Sequence, residues 1–186
     1  MSKLTFVGLS GNITSPSKTR GLTQRALDLA HETLDIESEV FEIADFGDEL
    51  GTARRLSDLS PVAQEKVARL LAADALVVAT PIYKGSYPGL FKHLIDLIDP
   101  AALLKKPVLI AATGGGDRHA LAVEHQLRPL FAFFEARVLG TAVHVSDRDF
   151  TDGVLSSEAA NERLRRAVAE FAEIFPRAQH LRLAAE

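Results

Sequence analysis

The sequence predicts an α/β protein, with one parallel five-stranded sheet and helices packed on both of its faces. Three observations predict it. Five short apolar runs rich in strand formers alternate with segments whose apolar residues recur at helical spacing. Loops dense in glycine, proline and hydroxyl residues follow the first, third and fourth of those runs. Parallel sheets gather ligand-binding loops at the carboxyl ends of their strands, and the order 2-1-3-4-5 sets the first and third of those ends side by side.

The first strand is expected over residues 4–9, where Leu4, Phe6, Val7 and Leu9 cluster. It feeds a stretch of hydroxyls, Ser10-Gly11-Asn12-Ile13-Thr14-Ser15-Pro16-Ser17-Lys18-Thr19-Arg20, that ends where Leu22, Ala26, Leu29, Ala30 and Leu34 begin a helical pattern. The first helix is therefore expected from about residue 17 to 33. Hydroxyls and free amides at a helix N-terminus form an anion site, because the unpaired N–H groups and the helix dipole face the ligand. Arg20 adds a bidentate donor suited to phosphate. Capping by Ser15 or Ser17 accounts for one hydroxyl but not for so many. The stretch lacks the lysine and spacing of a P-loop, does not read G-x-G-x-x-G, and brings its second glycine one residue too early for a nucleophile elbow around Ser10.

Residues 37–43 form the second expected strand, through Val40, Phe41 and Ile43. Residues 44–59 are a polar connector whose charges are expected on a solvated surface. Ser60-Pro61 opens the second helix, which carries Val62, Val67, Leu70 and Leu71 up to Ala73. The third strand, residues 75–79, enters the turn Ala79-Thr80-Pro81-Ile82-Tyr83-Lys84-Gly85-Ser86-Tyr87-Pro88-Gly89, which holds the only two tyrosines of the chain. Pro81 stiffens the strand exit, and the tyrosine rings suit the covering of a flat ligand, or else pack on the helix expected at 90–98. Asp99-Pro100 ends that helix, and residues 108–112 form a fourth buried strand that runs into Thr113-Gly114-Gly115-Gly116. Three consecutive glycines let backbone approach a ligand closely.

A long helix is expected at 120–135. Pro129 within it removes a hydrogen bond and predicts a kink or π-bulge, and Phe131, Phe133 and Phe134 point to more than one side, as a subunit contact requires. A fifth strand follows at 137–145, an irregular acidic loop at 147–153, and a last helix from Ser156-Ser157 with the stripe Ala160, Leu164, Val168, Phe171 and Phe175 up to Pro176. The fold is thus a flavodoxin-like three-layer sandwich over residues 1–176, with a C-terminal tail at 177–186.

Composition narrows the function. The net charge of −4 without any basic run weighs against nucleic acid. The absence of cysteine excludes disulfides and thiolate chemistry. No signal-peptide pattern or membrane span is read, so a cytoplasmic protein is expected. His119 and His125 lie six apart, but no carboxylate or third histidine completes a recognisable ligand motif with them, and no metal site is expected.

Three stretches carry a resemblance: Ser10-Gly11 with Ser15-Pro16-Ser17-Lys18-Thr19-Arg20, then Ala79-Thr80-Pro81-Ile82-Tyr83-Lys84, then Thr113-Gly114-Gly115 with Leu121-Ala122-Val123-Glu124 and Leu127-Arg128-Pro129 beyond. Together, over roughly residues 4–175, they resemble the NAD(P)H-dependent FMN reductases, most closely those of two-component alkanesulfonate and methanesulfonate monooxygenase systems. The resemblance implies that Ser10, Ser15, Ser17, Thr19 and Arg20 hold the FMN phosphate. It implies that Pro81, Ile82, Tyr83, Lys84, Gly85 and Ser86 line the ring and ribityl chain, and that Gly114, Gly115 and Gly116 close the other side. It also implies a π-helix at a tetramer interface, with His125 at the inserted position, in an interface or functional role. The activity implied is hydride transfer from NADH or NADPH to FMN, with reduced FMN passed to a partner monooxygenase in sulfonate or sulfone sulfur assimilation, in a homotetramer or dimer. Stacking and orientation suffice for that transfer, so no catalytic side chain is assigned. The alternatives are a reductase of quinones, azo dyes or chromate with bound FMN, and a flavodoxin-like electron carrier.

Overall fold

The computed structural model describes residues 3–176. Strands β1 (Leu4–Ser10), β2 (Ile36–Glu42), β3 (Ala75–Pro81), β4 (Pro107–Gly114) and β5 (Arg137–Val138) form a parallel sheet in the order β2-β1-β3-β4-β5, as expected. Helices α1 (Lys18–Thr33) and α5 (Glu158–Ile174) cover one face; α2 (Pro61–Ala72), α3 (Gly89–Asp96) and α4 (Arg128–Phe133) cover the other. No helix of the described residues is long and apolar enough to cross a membrane.

Strand alternation explains why the apolar runs are continuous rather than every second residue. Leu76 and Val78 of β3, with Val108, Ile110 and Ala112 of β4, enter the core under α2 and α3. Their neighbours Ala75, Val77, Ala79, Leu109 and Ala111 enter the core under α1 and α5. A sheet buried on both sides needs an apolar residue at every position.

The expected fifth strand is split. After β5 the chain leaves the sheet and returns as β6 (Val143–Ser146), again parallel to β4. The interruption survives because side chains bond its backbone: Glu170 accepts from the amides of Gly140 and Thr141 at 2.7 and 2.8 Å, and Arg128 donates to the carbonyls of Leu139 and Gly140.

Two loops prove to be more ordered than expected. The connector at 44–59 contains three short 3₁₀ turns and buries Phe46, Leu50, Ala53 and Leu59. Its carboxylates bond backbone rather than simply facing water: Asp45 accepts from the Glu42 amide, Asp58 from Arg54 and Arg55, and Glu49 from Ser60. The loop at 147–153 includes a 3₁₀ turn (Asp147–Asp149) and half of a hairpin, β7 (Phe150–Thr151) with β8 (Val154–Leu155). Asp152 and Gly153 have φ of 50° and 80°, the two left-handed positions of a type I′ turn, for which Asp-Gly is a strong signal.

The expected long helix at 120–135 is instead two pieces, a π-helix (Val123–Leu127) and α4, preceded by a 3₁₀ turn (Asp117–His119). Pro129 has no N–H to return to the carbonyl of His125, so α-helical pairing cannot run through this point. The amide of Arg128 reaches the carbonyl of Val123 instead, closing the wider turn. Phe131 and Phe134 are buried, whereas Phe133 is 68% exposed. The tail at 177–186 lies outside the described residues.

Candidate functional site

A cleft of about 310 Å³ opens where β1, β3 and β4 end, and three loops wall it. The first is shaped by Asn12, which is buried although polar. Its amide donates to the Thr14 carbonyl at 3.0 Å and to Glu42 Oε1 at 2.7 Å, and its oxygen accepts from the Ser10 hydroxyl. Gly11 donates to the Ala79 carbonyl at 2.7 Å; a Cβ there would stand 2.7 Å from Thr80 Oγ1 and 2.9 Å from the Phe91 ring. The loop ends at Ser17, whose hydroxyl caps α1 by accepting from the Arg20 amide at 3.2 Å. Lys18 and Thr19, at the first two helical positions, keep amides that no intrahelical carbonyl can reach. No acidic residue sits in this first turn, so its positive end is free to meet an anionic group.

The second loop is a type I′ turn. Tyr83 and Ser86 exchange backbone bonds of 2.7 and 3.1 Å, and Lys84 and Gly85 between them have φ of 52° and 91°. The two tyrosines take different roles. Tyr83 is 44% exposed and lines the cleft, whereas Tyr87 packs down on Phe91 with ring centres 5.6 Å apart. Because Lys84 holds a left-handed conformation that costs a non-glycine residue energy, Lys84→Asn is expected to raise stability by about 1 kcal/mol. A urea titration checks this, and a lowered midpoint would mean that the lysine side chain itself holds the turn.

The third loop supplies Gly114 and Gly115. Thr113 fastens it to the other two: its carbonyl accepts from the Ile82 amide at 2.8 Å, and its hydroxyl lies 2.6 Å from that of Thr19 in a buried pair. Asp147, carried in after β6, closes the rim through a 2.7 Å ion pair with Lys18. Its turn is held by Asp149. Burial pushes that carboxyl up, but bonds from Ser146 and Ser157, helped by the charge of Arg148, hold it below the usual range.

Of the residues named from sequence, Ser17, Thr19, Pro81, Ile82, Tyr83, Gly114 and Gly115 meet at this cleft. Ser10 does not line it: the residue is fully buried at the end of β1 and its hydroxyl is given to Asn12. Ser15 and Gly116 sit in the loops beside the lining residues, and Lys84 and Gly85 are the outer tip of their turn. Ser86 turns away to donate to Gln126 of the π-helix at 3.0 Å. Arg20 approaches Glu42 at 3.6 Å and borders a larger cleft, about 780 Å³, between α1, α5 and the β7–β8 hairpin. His125 is exposed on the π-helix. Sequence reading did not single out Asn12, Lys18, Thr113 or Asp147. Asn12, Lys18 and Thr113 stood inside the quoted motifs, whereas only the β4–β6 register brings Asp147 here.

Comparison with known proteins agrees with this geometry. The family model described as NADPH-dependent FMN reductase matches residues 4–150. The NADH-dependent FMN reductase SfnF of Pseudomonas fluorescens is 45% identical over 172 residues, 92% of each chain. An NADPH FMN reductase of Pseudomonas aeruginosa is 43% identical over 174 residues, 94% of each. Among solved structures, an oxidoreductase from Corynebacterium diphtheriae superposes with a TM-score of 0.84 at 32% identity, covering 92% of this chain and 96% of that one. The sheet order, the match across the three loops and the extent of this similarity agree: the chain belongs to the NADPH-dependent FMN reductase family, an oxidoreductase using FMN and NAD(P)H.

Proposed function

We propose that the cleft is the FMN site, and that the protein passes reduced FMN to a separate FMN-dependent monooxygenase serving sulfonate or sulfone sulfur assimilation. The observation that carries this reading is the clasp at Thr113, which gathers a helix start with free amides, a tyrosine-bearing turn and a glycine loop around one opening. The residues fit the cofactor. Amides of Lys18 and Thr19 and the hydroxyl of Ser17 suit a phosphate, Pro81, Ile82 and Tyr83 suit the ring and ribityl chain, and Gly114 and Gly115 admit the other edge. Bound there, FMN supplies the N5 atom that accepts a nicotinamide hydride. The chain's own part is to orient both partners and exclude water, and no side chain is assigned a proton. Ser15, Arg20, Lys84, Gly85, Ser86 and Gly116 support the lining residues from the outer loops, and Ser10 supports them through Asn12.

An open cleft with Tyr83 at its mouth suits a flavin that enters and leaves. The same reading makes the protein a cytoplasmic homotetramer or dimer. Leu121 and Phe133, 65% and 68% exposed on either side of the π-helix, support a subunit contact in which exposed His125 takes part.

Steady-state oxidation of NADH and of NADPH, followed as free FMN is titrated, tests the proposal. Saturable dependence on FMN, with reduced flavin appearing in the filtrate of a size-cutoff membrane, is expected. Turnover that ignores added FMN but needs a quinone or dye would favour a tightly held flavin instead. No oxidation under any of these conditions would favour the electron carrier.

A further inference from the structure

His144 of β6 pairs in register with Ala112 of β4. Its neighbours Val143 and Val145 enter the core under α1 and α5, so the imidazole points to the opposite face, towards the turn that follows β4. There it meets Gly114. A Cβ built on Gly114 would lie 3.0 Å from His144 Nε2 and 3.1 Å from the Cβ of His119. The glycine that lines the cleft is therefore seated between two histidines. His144 Nε2 is buried and has no hydrogen-bond partner, a condition that folded proteins rarely tolerate without a reason.

The polar groups around that nitrogen are bonded to other partners. Asp117, in the turn above, is taken by Arg148 at 2.7 Å. Asp149, in the turn after β6, accepts from the amide and hydroxyl of Ser146. His119 Nε2 accepts from Arg118 at 3.3 Å. A neutral imidazole can leave Nε2 as a lone pair beside the CH₂ of Gly114. A protonated one must aim an N–H at it. Burial, the largest cause, pushes the His144 pKa below the usual histidine value; the charge of Asp117 opposes it, the nearby His119 adds to it, and Asp149 opposes it least.

We infer that His144 is a positioning residue for the glycine side of the cleft: its neutral ring is the seat of Gly114, and protonating it displaces residues 113–119 and weakens FMN binding. The ligand named here rests on the function proposed above. The sign follows from linkage. Below pH of about 6.5 the unfolded or loop-displaced state binds the proton first, so the seated state is favoured above that pH and is lost as pH falls through the lower folded value.

The test is FMN affinity, read by quenching of flavin fluorescence between about pH 8 and about pH 5.5 at constant ionic strength. His144→Phe and His144→Gln, neither of which can take up a proton, serve as comparisons. The phosphate of FMN itself titrates near pH 6, but that slope is common to all three proteins. The wild type is expected to lose affinity more steeply on acidification, by up to about tenfold per pH unit beyond the common slope. Hydrogen exchange of residues 113–119 in the flavin-free wild type, corrected for intrinsic chemistry, is expected to rise over the same range. Equal slopes in wild type and in either folded variant, or unchanged exchange in the wild type, would overturn the inference. Failure of every protein to bind FMN at pH 8 would overturn the proposed function instead, and the exchange measurement would still decide the role of His144.

Discussion

Phe91→Ala is expected to lower stability by about 3–5 kcal/mol, the usual cost of emptying a fully buried phenylalanine site. Phe91, on the inner side of α3, is fully buried, meets the Tyr87 ring and lies close to Gly11. Its removal leaves a hole below two of the three loops at once, where rigid strand ends limit collapse. Against the 5–15 kcal/mol typical of a folded domain, such a loss is large. A urea titration should show a lower midpoint with an unchanged slope, and the melting temperature should fall by roughly 6–20 °C. A loss below about 1 kcal/mol would mean that Tyr87 and Ile82 refill the space. Phe133→Ala is the natural comparison, since a residue 68% exposed should change monomer stability by no more than about 0.5 kcal/mol. A larger effect that depends on protein concentration would identify Phe133 as part of a subunit contact.

Thr113→Val should act on the cleft itself. Valine keeps the shape of threonine and leaves the carbonyl bond to Ile82 in place. It removes only the hydroxyl facing Thr19, and strands the Thr19 hydroxyl in a position that is 2% exposed. A buried polar group left without its partner costs about 1–3 kcal/mol. Part of that is relieved if the first and third loops separate, which widens the cleft. FMN affinity is then expected to fall by about fivefold or more, since each 1.4 kcal/mol is a factor of ten. The loss should appear mainly in the KM for FMN, and Thr113→Ser, which keeps the hydroxyl, should stay within about twofold of the wild type. An FMN titration of the valine variant that overlays the wild type would show that the loops are held together without this bond.

The sequence was most legible where its signals are local. Continuous apolar runs announced strands buried on two faces, Ser17 and Ser157 cap α1 and α5 as hydroxyls before a helical pattern do, and Pro129 announced the irregular turn that became a π-helix. Where sequence reading erred, it usually treated polarity as exposure. The connector at 44–59 looked solvated because charged residues are scattered through it, yet Asp45, Glu49 and Asp58 bond backbone amides, and Phe46 and Leu50 turn inward. The hairpin after β6 was also legible, in Asp152-Gly153, but the acidic residues around it masked the turn.

By itself, then, the sequence determined most of the elements, their parallel order, the three loops that wall the cleft and the family to which they belong, because caps, periodicities and loop motifs depend on neighbours along the chain. Tertiary structure alone decided which residues of those loops reach the cleft. Ser10 and Ser17 are the same residue type seven positions apart, and only packing against Asn12 turns one into buried support while the other stays at the opening. Thr113, Asp147 and His144 matter through contacts spanning 30 to more than 100 residues of chain: Thr113 with Thr19, Asp147 with Lys18, His144 with Gly114. Such contacts exist only once parallel strands have brought distant segments into register, and no local pattern records them.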